Sequence, residues 1–156
     1  MILYFAYGSN LDWGQMKERC PSTLFVDTAL LSKYRLAFSR MSVARQCGVA
    51  DIVPDEKKDV WGIVYQITER DLETLDQYEG FQPGRAKNPY IQTEVVVFAK
   101  GASNNPITAI TYIVQDKAEK HIPPNREYLD LIIHGARHWH LPQEYIDSIE
   151  GIGVEG

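Results

Sequence analysis

Apolar positions along this chain follow two rhythms. Runs rich in Val, Ile, Tyr and Thr occupy Leu30 to Phe38, Gly48 to Val53, Val60 to Ile67, Tyr90 to Phe98 and Ile107 to Val114, and an apolar run opens the chain from Ile2 to Tyr7. β-Branched and aromatic side chains suit a pleated, half-buried surface, so each run predicts a strand. Gly101-Ala-Ser-Asn-Asn-Pro106, between the last two, has the composition of a hairpin loop.

The second rhythm is helical. In ITERDLETLDQYEGF, Leu72 and Leu75 stand three apart, Thr68 and Asp71 take capping-box spacing, and Gly80 is placed to end the turn. These signals predict a helix from Glu69 to Glu79. Two more are predicted from Arg126 to His138 and from Pro142, a residue favoured in the first turn, to Glu150. Near the N-terminus, Ser9 or Asn10 can cap a short helix through Leu11 to Lys17, which Pro21 closes. Many strands with few crossover helices favour an α+β fold on a mainly antiparallel sheet. No repeat, linker or low-complexity stretch divides residues 1–156, so a single domain is expected.

Composition narrows the partners. Hydrophobic residues are 44% and charged ones 24%, as in an ordinary globular domain. No apolar stretch approaches the roughly 20 residues of a transmembrane helix, and the N-terminus lacks a basic region or cleavage pattern, so a cytoplasmic protein with no membrane role is expected. A net charge of -5 argues against nucleic acid, which requires a basic face. Cys20 and Cys47 fit no zinc-ligand spacing and are read as reduced thiols. The expected partner is a small molecule.

Two places carry candidate chemistry. Leu72, Leu75 and Glu79 share one helical stripe, so the Glu79 carboxyl projects beside leucines that face the core, where ionisation is harder and proton transfer near neutral pH becomes feasible. Glu69, Glu73 and Asp76 sit elsewhere on the helix and can be solvated. Position alone equally allows Glu79 to curl into water at the fraying last turn. The break from the opening strand into Tyr7-Gly8-Ser9-Asn10 reads either as an ordinary strand-to-helix turn or as a close-approach cradle whose amides face a carboxylate or an oxyanion. P-loop and dinucleotide fingerprints are absent, as is the GxSxG of a serine hydrolase. His134 and His138 share a helical face, but without HExxH no metal site is predicted. Among nine tyrosines, Tyr90, Tyr112 and Tyr128 acquire meaning only if a pocket gathers them.

YFAYGSNL at 4–11, ADIVPDEKKDVWGIVYQI at 50–67, LDQYEGF at 75–81, Tyr90, ITAITYIV at 107–114 and YLDLIIHGARHWHLPQEYIDSIEGI at 128–152 together resemble the gamma-glutamylcyclotransferase family, in order and over almost the whole chain. The resemblance implies a closed or nearly closed β-barrel with helices around a pocket. It implies that Tyr7, Gly8, Ser9, Asn10 and Leu11 bind a gamma-glutamyl group through backbone amides. Glu79 would be the general acid/base, and Tyr90, Tyr112 and Tyr128 would line the cavity. The implied reaction, part of glutathione metabolism, closes the substrate's own α-amine on its γ-carbonyl to give 5-oxoproline. It needs no cofactor. A homodimer is plausible on the same grounds.

Two departures bear on the substrate. The branch acting on gamma-glutamyl amines tends to place an arginine two residues after the pocket tyrosine, whereas here Tyr90 is followed by Ile91 and Gln92. Arg85 and Lys87, in FQPGRAKNP, are candidates for contacting a second carboxylate. The alternatives are the same chemistry on a gamma-glutamyl amine or biosynthetic intermediate, a non-catalytic gamma-glutamyl-binding protein, and an anion- or nucleotide-binding module.

Overall fold

A computed structural model describes residues 1–155. Its strands are β1 (Ile2–Ala6), β2 (Leu24–Ser42), β3 (Cys47–Ile67), β4 (Tyr90–Ala99) and β5 (Pro106–Val114). The helices are α1 (Trp13–Arg19), α2 (Glu69–Glu79), α3 (Arg126–His138) and α4 (Gln143–Glu150), with a 3-10 turn over Ser9–Leu11. The strands close a barrel in the order β1-β3-β2-β4-β5. Neighbours pair antiparallel except β1 and β5, which meet in parallel at Tyr4 and Ile110. The expected small mixed barrel with helices around it is therefore the fold found.

The two strands expected at Gly48–Val53 and Val60–Ile67 are one, β3, paired with a β2 that runs well beyond Leu30–Phe38 at both ends. The polar run from Asp55 to Lys58 is not a connecting loop. It bulges from the hairpin where Ser32 pairs with Asp59 and Tyr34 with Pro54, opposite Lys33 at φ 65°. A bulge bends and twists a strand, which is what a small closed barrel requires of its longest hairpin.

The first helix also differs from expectation. It begins at Trp13, capped by the Asp12 carboxylate, which accepts from the Gln15 amide at 2.9 Å. Ser9 and Asn10 fall instead in the 3-10 turn, where their side chains serve other purposes. Helix α2 starts on the predicted capping box, with Thr68 and Asp71 each receiving the other's amide, and ends at Gly80 in the left-handed conformation.

The core takes Phe5, Ile63, Val64, Tyr65 and Val97 from the two faces of the barrel wall, and continues under the helices through Leu75, Leu129, Ile132 and Ile149. Helix α3 presses directly on the turn after β1. A Cβ on Gly135 would lie 2.3 Å from the Leu11 carbonyl carbon, so only glycine permits this approach. That contact fixes the turn from below.

Candidate active site

The turn is held from every side. Asn10 is buried; its carbonyl accepts from Tyr65 Oη at 2.8 Å, its Nδ2 donates to Tyr4 Oη at 3.0 Å, and its Oδ1 accepts from Gln15 and Arg19. Ser9 Oγ accepts from the same Gln15 amide group at 2.8 Å. The turn's own bonds use the amides of Leu11 and Asp12, which donate to Gly8 and Ser9 carbonyls. A single 3-10 turn of this kind has no internal partner for the amides that precede them.

Above the turn lies a cavity of about 290 Å³. The end of α2 brings Glu79 to it, and β1 and its turn bring Tyr4, Tyr7, Gly8, Ser9 and Asn10. Tyr90, Tyr112 and Tyr128 reach it from β4, β5 and α3. Gly8 has φ -109°, outside the left-handed region, and a Cβ there would stand 3.3 Å from Ala50 Cβ and 3.5 Å from Tyr128 Oη. The glycine thus serves close approach, not a left-handed turn. Leu11 does not reach the cavity: its side chain is fully buried in the core, and its carbonyl accepts from Trp139 Nε1 at 3.0 Å.

Among the described residues, Glu79 is the one carboxylate on the cavity wall. Desolvation pushes its carboxyl up to about 7 from an ordinary 4.5; Arg19 and Arg45 pull against that shift and Asp76 adds to it. It does not curl into bulk water. Asp76 is not simply solvated either, since its Oδ1 accepts from Tyr112 Oη at 2.5 Å and from Gln92 Nε2 at 2.6 Å.

The phenols divide by the direction of their hydrogen bonds. Tyr7 donates to the Tyr112 carbonyl at 2.5 Å, Tyr90 to the Ala50 carbonyl at 2.6 Å, and Tyr112 to Asp76. Their remaining lone pairs can only accept. Tyr128 Oη instead accepts from the Ala50 amide at 3.0 Å, and Tyr4 Oη from Asn10, so each keeps a proton to give. Burial raises all five hydroxyls far above their ordinary range, which keeps them neutral.

The comparisons fit this arrangement. The model of the AIG2-like family matches residues 59–149. A Gamma-glutamylcyclotransferase of Mus musculus is 32% identical over 155 residues, covering 97% of this chain and 78% of the relative. That of Bos taurus is 33% identical over 162 residues, covering 99% and 82%. The chain belongs to the AIG2-like gamma-glutamylcyclotransferase family. A solved Gamma-glutamyl cyclotransferase superposes with a TM-score of 0.88 at 30% identity, over 99% of this chain and 89% of the other.

Within this family frame, several side chains expected from the sequence lie elsewhere. Arg85 is tied into its own loop, with Nε on Asn88 Oδ1 at 2.9 Å and Nη2 on the Gly80 carbonyl, and Lys87 is exposed; neither lines the cavity. The arginines that do are Arg19, Arg40 and Arg45, which sequence reasoning missed together with Tyr4. No motif marked them, because each comes from a different element: Tyr4 from β1, Arg19 from the end of α1, Arg40 from β2 and Arg45 from the turn between β2 and β3. His134 is exposed with Nδ1 2.8 Å from Asp12 Oδ1, and His138 packs edge-on against Trp139. Among the described residues no three His, Cys, Asp or Glu side chains gather around a common point, and no helix is long and apolar enough to cross a membrane.

Proposed function

We propose that the chain converts a gamma-glutamyl amino acid into 5-oxoproline and a free amino acid, with Glu79 carrying the proton. The observation that carries this reading is a lone carboxyl of raised proton affinity, set in a tyrosine-walled cavity beside a glycine turn. A carboxyl near 7 is divided between its two forms at neutral pH. It can accept a proton and return it in one cycle.

In this reading the substrate's α-amine attacks its own γ-carbonyl. Glu79 accepts the proton lost by the attacking nitrogen as the new C–N bond forms. It then gives that proton to the departing nitrogen as the old amide bond breaks, an exchange typically contributing about 10²–10⁴-fold. Amides of Gly8, Ser9 and Asn10 stabilise charge on the carbonyl oxygen, each such donor commonly contributing ~3 kcal/mol. The acceptor phenols Tyr7, Tyr90 and Tyr112 suit an ammonium, and the donors Tyr4 and Tyr128 suit a carboxylate. Folding the substrate so that amine meets carbonyl adds proximity.

The test is a panel of gamma-glutamyl amino acids, gamma-glutamyl amines and glutathione, incubated with the purified protein and read by mass spectrometry. The reading predicts 5-oxoproline from the amino acid conjugates. Retained binding without product would leave a gamma-glutamyl-binding protein instead.

A further inference from the structure

Among the described residues, three arginines line the cavity with only one carboxylate, Glu79. Two of the guanidinium groups already have protein partners. Arg19 donates to Asn10 Oδ1 at 3.2 Å and stacks 4.1 Å over the Tyr78 ring. Arg45 donates to Gln15 Oε1 at 3.0 Å and stacks 4.8 Å over Tyr128. Arg19 and Arg45 are also the cations that act on Glu79, so they belong to the reacting centre.

Arg40 differs on each count. Its guanidinium makes no hydrogen bond or ion pair with any described residue, although it lines the cavity and the residue is half-buried. Its field is felt at Tyr90 rather than at Glu79. The chain places it deliberately: a bulge between Phe38 and Arg40 resets the strand after Ser39, whose buried hydroxyl turns instead to Asp51 at 2.7 Å. Arg40 then stands opposite Val49, close to the hairpin tip where Val43 and Ala44 are exposed at the cavity rim. An unpaired guanidinium in a cavity wall is a fork of donors matched to a carboxylate.

A gamma-glutamyl amino acid carries two carboxylates, one on the glutamyl half and one on the leaving half. A gamma-glutamyl amine carries only the first. We propose that Arg40 binds the carboxylate of the leaving amino acid and thereby selects gamma-glutamyl amino acids over gamma-glutamyl amines; this rests on the cyclotransferase reading and assigns its specificity to one residue. The role first sought in Arg85 and Lys87 thus passes to a residue on β2, in the barrel's long hairpin.

Two substrates that differ only by that carboxylate test it: gamma-glutamylalanine and gamma-glutamylethylamine, assayed for 5-oxoproline with the wild type, Arg40→Met and Arg40→Lys. The wild type should favour the alanine conjugate by about ten- to hundredfold in kcat/KM, the range of a charge-assisted hydrogen bond. Arg40→Met should bring that ratio towards unity through KM for the alanine conjugate, and Arg40→Lys should retain part of it. The ratio is internal to each preparation, so partial misfolding does not mimic the result. A wild type without preference, a preference that survives Arg40→Met, or an equal loss on both substrates overturns the assignment while leaving the reaction intact. No 5-oxoproline from either substrate overturns the cyclotransferase reading itself, and the assignment with it.

Discussion

Tyr112 donates its phenolic proton to Asp76 at 2.5 Å, and that carboxylate lies one helical turn before Glu79 on α2. One side chain therefore holds a cavity phenol in place and raises the proton affinity of the candidate acid/base. Arg19, stacked on the neighbouring Tyr78 ring, acts on Glu79 with the opposite sign. The resting protonation of Glu79 is a balance of burial, one anion and two cations.

That balance makes opposed predictions for two variants. Asp76→Asn removes a raising influence, so the acidic limb of the kcat/KM profile, which reports the free enzyme's base, should move to lower pH. Arg19→Met removes a lowering influence and should move the same limb to higher pH. Profiles that shift together, or not at all, would show that another group sets the limb.

Stability should carry the same signature. The folded protein holds the Glu79 proton to about 7, the unfolded chain only to about 4.5, so this group's contribution is complete below pH 4.5 and is lost as pH rises through 7. Glu79→Gln has no such charge to bury. Its stability relative to wild type should grow between pH 4.5 and 7 by about 1–3 kcal/mol, the upper end reduced by the solvent reach of a partly buried carboxyl. Paired thermal melts at pH 4.5, 6 and 8 measure it, and a constant difference would contradict a buried, proton-holding Glu79.

Gly135→Ala tests the support beneath the turn. Its new methyl would collide with the Leu11 backbone, which cannot move without shifting the 3-10 turn. We expect a loss of about 1–3 kcal/mol, as for other overpacked sites, together with a higher KM. Melting curves and steady-state kinetics on the same sample check both. Unchanged KM in a destabilised variant would separate the turn from substrate binding.

Much of this architecture was legible in local sequence. The capping box at Thr68 and Asp71, the stop at Gly80 and the stripe through Leu72, Leu75 and Glu79 are short-range signals, and α2 follows them. The turn at Tyr7 to Asn10 was equally visible, because a buried strand breaks into residues of turn chemistry. What stayed hidden depends on pairing. The polar residues Asp55 to Lys58 look like a loop until β2 and β3 are aligned, and only that alignment brings Arg40 and Arg45 to the cavity. Asp76 faces solvent by helical periodicity alone, and is recruited by Tyr112 from a strand 36 residues away. Leu11 was placed in the site by the family resemblance, whereas its side chain is buried in the core and its carbonyl accepts from Trp139.

The central claim is that Glu79 carries the proton between attacking and departing nitrogens. Single-turnover formation of 5-oxoproline from gamma-glutamylalanine, by wild type and Glu79→Gln, measures this most directly, with ligand binding followed calorimetrically in the variant. The account predicts binding within a few-fold of wild type and a rate reduced by at least about 10²-fold. A Glu79→Gln enzyme that turns over at nearly the wild-type rate would contradict it.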